Sequence, residues 1–95
     1  MEHNQFLTQT FEQGLDFEKN EQWDLAINVY DALLQLLPQH ESTQQFAAEV
    51  HLRRGNLRYR LKNQQGAFDD FREAMRLNPA IAERLDGEHS RWMKK

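Results

Sequence analysis

Gly14, Ala26 and Pro38 recur 41 residues later as Gly55, Ala67 and Pro79, with 12 residues from glycine to alanine and 12 from alanine to proline in both copies. Tyr30 pairs with Phe71, Leu34 with Met75 and Leu36 with Leu77 at the same offset. A glycine, an alanine, an aromatic and a proline repeating in register mark one supersecondary unit used twice. An internal repeat constrains the architecture ahead of any finer reading. With 95 residues, both copies belong to one small domain.

The spacing predicts an all-α fold of about five helices. Asn4 is placed to cap a first helix running to about Lys19, with Phe6, Leu7, Phe11, Leu15 and Phe17 mostly at helical intervals. Asn20 is placed to cap a second, from Glu21 to about Leu37, where Trp23, Ala26, Ile27, Tyr30, Leu33, Leu34 and Leu37 make a broad apolar stripe. Pro38 stops it, because proline lacks an N–H and disfavours helix in the residue before it. Ser42 with Gln45 fits a capping box opening a third helix to about Leu61. Asn63 caps a fourth near 64–77, carrying Ala67, Phe68, Phe71, Ala74, Met75 and Leu77. Asn78 and Pro79 open a fifth, with Ile81, Leu85, Trp92 and Met93 inward and Gly87 weakening its middle. No strand alternation or hairpin signal is present, and short loops make neighbouring helices antiparallel. Mid-helix Gly14 and Gly55, with Ala26 and Ala67 opposite, suit a close approach of paired helices that Tyr30 and Phe71 then fill.

With Gly14, Phe17, Ala26, Tyr30 and Pro38 in one unit and Gly55, Ala67, Phe71 and Pro79 in the other, the chain resembles the tetratricopeptide repeat family, whose pattern is W-x2-L-G-x2-Y, then A-x3-F, then P. Thr10 and Gln13 occupy the Trp and Leu slots of the first unit. His51, Arg54 and Arg58 occupy the Trp, Leu and Tyr slots of the second. The resemblance implies antiparallel helix-turn-helix repeats in a right-handed superhelix. The first repeat takes about 7–40, an extended linker or helix start 41–47, the second repeat about 48–79 and a capping helix 80–95. The 41-residue period exceeds the family's, about 34, by seven residues at Glu41–Ala47, and two units are fewer than the usual three or so.

Composition narrows function by exclusion. There is no cysteine, which removes disulfides, thiolate metal sites and cysteine nucleophiles. The N-terminus has neither a basic region nor an apolar run and reads as no secretory signal; nothing is long and apolar enough for a membrane span, so the expected compartment is the cytoplasm. His3, His40, His51 and His89 have no partner at the spacing of a helical metal motif, and no metal or cofactor is expected. Asp69 and Asp70 are adjacent and diverge on a helix, the glycines are scattered, and no enzyme is expected. Residues 1–47 hold eight acids and one base, residues 48–95 eleven bases and seven acids. This asymmetry, and the run Arg53, Arg54, Arg58, Arg60 and Lys62, read as solvated helix faces. An acidic chain with only Tyr59 interleaved argues against nucleic-acid binding.

The resemblance implies a concave groove lined by the first helix of each unit, holding a peptide or a segment of another protein. Mapped here, the candidate partner-binding residues are Phe11, Leu15, Leu52, Arg53, Asn56, Tyr59 and Arg60, with Thr8, Glu12, Glu18 and Glu49 beside them. Phe11, Leu15, Leu52 and Tyr59 would form an apolar strip flanked by Arg53 and Arg60, suited to a peptide with apolar anchors and an acidic group. The Lys and Asn carboxylate clamp of some family members is replaced here by Phe11 and Leu15. The expected function is thus a non-catalytic, adaptor-like protein-interaction module. The alternative is a structural module that homodimerises through the same face.

Overall fold

The computed structural model describes residues 2–38 and 40–84. They form helices α1 (Glu2–Lys19), α2 (Trp23–Leu36), α3 (Gln44–Arg60), α4 (Gln64–Leu77) and α5 (Ile81–Arg84), with a 3-10 turn at Glu41–Thr43 and no strand among the described residues. The fold is all-α. Helix α1 packs on α2, α3 on α4, and α2 on α3, so two hairpins stack side by side. The outer part of the expected fifth helix, with Leu85, Gly87, His89, Trp92 and Met93, lies outside the described residues.

Each hairpin closes on the same device. The last turn of α1 hands over through Gln22 N–H to Phe17 O at 2.8 Å and Glu21 N–H to Glu18 O at 3.0 Å, with Glu21 at φ 60°. In α3 the pair is Asn63 N–H to Arg58 O at 2.8 Å and Lys62 N–H to Tyr59 O at 3.1 Å, with Lys62 at φ 70°. Both are Schellman motifs, in which a left-handed residue just past the helix satisfies the last carbonyls. Asn20 therefore belongs to the end of α1 and does not cap α2, which starts later than expected, after Gln22, with no side-chain cap. Asn63 does cap α4, accepting from Gly66 N–H at 3.0 Å.

Two further caps differ from expectation. Asn4 lies inside α1 and is not its cap. Ser42 falls in the 3-10 turn rather than at a capping box. There the Thr43 hydroxyl donates back to the Pro38 carbonyl at 2.6 Å, with the His40 carbonyl at 3.1 Å, and holds the entry to α3. Asn78 behaves as an opener, accepting from Ala80 N–H at 3.2 Å, while Pro79 stays in the turn before α5.

The core has two parts. Leu7, Ala26, Tyr30, Leu33, Leu37, Val50 and Leu57 make the first. Ala48, Leu52, Ala67, Phe71, Ala74 and Ile81 make the second. Helix α3 contributes to both, because it lies between α2 and α4 and is apolar on two sides. The glycines set the hairpin spacing. A Cβ on Gly55 would lie 2.7 Å from Phe71 Cε1, and one on Gly14 would lie 2.9 Å from Tyr30 Cζ. Each glycine is thus the seat of its partner's aromatic ring.

Candidate functional site

The inner face lies between α1 and α3. Glu18, in the last turn of α1, accepts the Tyr30 hydroxyl from α2 and lies 3.5 Å from Arg53 Nη1 of α3. Burial pushes the Tyr30 phenol far up, and the adjacent Glu18 carboxylate adds to the rise, so Tyr30 stays a donor and fixes Glu18 in place. Arg53 also has Nε 3.3 Å from Glu49 Oε2 and its guanidinium 5.9 Å from the centre of the Phe11 ring. Phe11 meets Phe46 edge-on at 5.3 Å and Tyr30 at 5.9 Å. Farther along, the Arg60 guanidinium lies over Trp23 at 5.1 Å.

These side chains shape two depressions that share Glu18 and Arg60. One, of about 600 Å³, is lined by Glu12, Leu15, Asp16, Glu18, Lys19, Trp23, Arg53 and Arg60. The other, of about 650 Å³, lies over Asn56, Tyr59 and the turn after α3. The structure thus gathers Leu15, Arg53 and Arg60 in the first, and Asn56, Tyr59 and Arg60 in the second. Phe11 is half-buried beneath Arg53 rather than a bare anchor. Leu52 is a correction: at 4% exposure it packs in the second core and lines neither depression. The four-residue apolar strip is therefore not formed. Its replacement is Leu15 with Trp23, and sequence spacing could not find that pair, since Trp23 reaches the face from the start of α2. Asn56 Oδ1 is buried with no hydrogen-bond partner among the described residues.

The run of arginines divides by direction. Arg53 and Arg60 face the inner depressions, while Arg54 and Arg58 turn to the opposite edge and meet Asp70. Asp70 is 2% exposed. It accepts from Arg54 Nε at 2.9 Å and Nη2 at 2.7 Å, from Arg58 Nη1 at 3.1 Å and from His51 Nδ1 at 3.0 Å. A carboxylate only accepts, so Nδ1 of His51 carries the proton. Burial alone would raise the Asp70 pKa. The hydrogen bonds from His51 and Arg54, with the charges of Arg54 and Arg58, outweigh it and hold Asp70 below its ordinary value. Arg54 Nη1 also reaches Asp31 of α2 at 2.6 Å. The expectation of a solvated basic face is corrected here: Arg53, Arg54 and Arg58 all have internal acidic partners. Asp69, its neighbour, points outward to Arg72.

No group of His, Asp or Glu among the described residues is arranged to hold a metal ion, and no helix among them is long and apolar enough to cross a membrane. Residues 48–81 match the family model of the tetratricopeptide repeat. No curated protein and no solved structure matches the chain.

Proposed function

Residues 48–81 are a tetratricopeptide repeat, so the chain belongs to the tetratricopeptide repeat proteins, and we propose that it binds a segment of another protein along the inner face of α1 and α3, without catalysis. Such repeats serve in general as protein-interaction modules. The observation that carries the finer reading is the first depression, where an apolar floor of Leu15 and Trp23 sits among Glu12, Asp16, Lys19, Arg53 and Arg60. That mixture suits a peptide with one apolar anchor and polar groups of both signs.

Arg60 is the group placed for an acid on the ligand. It stacks on Trp23 and has no ion pair among the described residues, unlike Arg53, which Glu18 and Glu49 already engage. Adaptor work inside the cytoplasm is the setting this reading fits.

Affinity capture with mass spectrometry tests it, with the parent compared against Arg60→Glu and Leu15→Glu. Both variants should keep their helical signal and lose the same captured proteins by roughly tenfold or more, the size of one lost charge-assisted contact of about 1.5–3 kcal/mol. Unchanged capture by both variants rules the groove out. Leu52→Glu is unsuitable, because burying a charge in the second core would unfold the unit.

A further inference from the structure

At the 41-residue offset, the outer edges of the two hairpins differ slot by slot. The second presents His51, Arg54 and Arg58 on α3 with Asp70 and Glu73 on α4. The first has Thr10, Gln13 and Phe17 on α1 with Val29 and Ala32 on α2 in the same slots. The edge of the second hairpin is covered by α2: Arg54 bonds Asp31, and Leu34 and Leu37 share a cleft with Ala47, His51, Glu73 and Leu77. Among the described residues nothing covers the matching edge of the first. Phe6 is 53% exposed, Leu25 43% and Leu36 50%, and Ala32 is exposed between them. On both helices the edge residues follow intervals of four, three and four, as 6, 10, 13, 17 and 25, 29, 32, 36. That is the spacing by which a helix seats against other helices.

We infer that this edge pairs with the same edge of a second copy of the chain about a two-fold axis. Its slots hold no charge, although they lie in a half of the chain with eight acids and one base. A charged partner would leave its charges unpaired there, at a desolvation cost. A neutral apolar face fits, and the described residues offer one such face of this extent. Symmetry supports the choice. The far end of the stack carries α5, whose Ile81 is 1% exposed in the second core. Head-to-tail stacking needs two open, complementary ends, whereas one open end gives a closed pair. The surface is separate from the inner face, so this inference stands apart from the peptide-binding reading.

The test is sedimentation equilibrium of the full chain over a wide concentration range, at low and at moderate salt. The expected mass is twice that of the chain. Added salt should leave the dimer unchanged or tighten it, since the paired slots hold no charge and the half of the chain that carries them is acidic. Leu25→Glu with Leu36→Glu should give a monomer at concentrations at least 100-fold above the parent's midpoint, with its helical signal kept, while Arg60→Glu stays dimeric. If the double Glu variant loses its helical signal, Leu25→Gln with Leu36→Gln decides, with an expected weakening of at least tenfold. A parent that is monomeric throughout, an open-ended or salt-weakened assembly, or a dimer indifferent to these edge substitutions overturns the inference.

Discussion

A methyl group on Gly14 would meet the ring of Tyr30, which is fully buried and cannot step aside. Alanine gains about 1 kcal/mol over glycine in a helix interior, but overpacking a tight core costs about 1–3 kcal/mol. Gly14→Ala is therefore expected to lower stability by up to about 2 kcal/mol, read by urea unfolding, where helix propensity alone predicts a gain. Asp70 is the second residue whose surroundings decide the sign of an effect. Asp70→Asn leaves Arg58 without its counter-charge and Arg54 with Asp31 alone. The expected loss is about 2–4 kcal/mol, below the figure for a fully buried pair because Arg54 and Arg58 keep 16% and 25% exposure. The native pKa of Asp70 is lowered, so its contribution is complete above the unfolded carboxylate value of about 4 and fades as pH falls below it. Unfolding free energy measured from pH 6 to pH 2.5 should fall less steeply in Asp70→Asn than in the parent.

Helix termini repeat as faithfully as the core does. Glu21 and Lys62, 41 residues apart, both take the left-handed position of a Schellman turn, a place glycine usually fills. One residue on, the two copies diverge: Asn63 caps α4, whereas Gln22 makes no side-chain cap to α2. The longer glutamine side chain does not reproduce the short return to the third N–H. Gln22→Asn should transfer the cap and stabilise by about 0.5–1 kcal/mol, seen as a raised urea midpoint with unchanged slope. The residues ahead of the family match, which begins at position 48, also gain a purpose at this scale. They supply the 3-10 turn and the first turn of α3, and bring Phe46 onto Phe11 of the first hairpin.

Across the whole molecule the hairpins meet along α2 and α3, where apolar packing is supplemented by ion pairs between the acidic first half and the basic second. Glu18 with Arg53 and Asp31 with Arg54 are such pairs. The uneven charge of the chain is thus partly spent internally. Asp31 is 39% exposed, so water competes for Arg54. Asp31→Asn is expected to cost at most about 1 kcal/mol, far less than Asp70→Asn, with urea unfolding of the two variants as the check. Equal losses would mean that the tie between hairpins, rather than the buried carboxylate, dominates.

The repeat offset by itself determined a great deal. The pairing of Gly14 with Tyr30 and of Gly55 with Phe71, the helical class, the cap at Asn63 and the split of Arg53 and Arg60 from Arg54 and Arg58 all follow from local spacing, because helix periodicity fixes direction around an axis. Tertiary structure decided what each direction meets. Leu52 looked like a groove residue, and α4 buried it. His51, Arg54 and Arg58 read as departures from an apolar pattern, and one aspartate on another helix made them a buried cluster. Trp23 became part of the inner face, and Leu25 and Leu36 were left on an open edge. Such outcomes depend on contacts between residues 12 to 37 positions apart, and periodicity along one helix carries no information about which neighbour fills the space beside it.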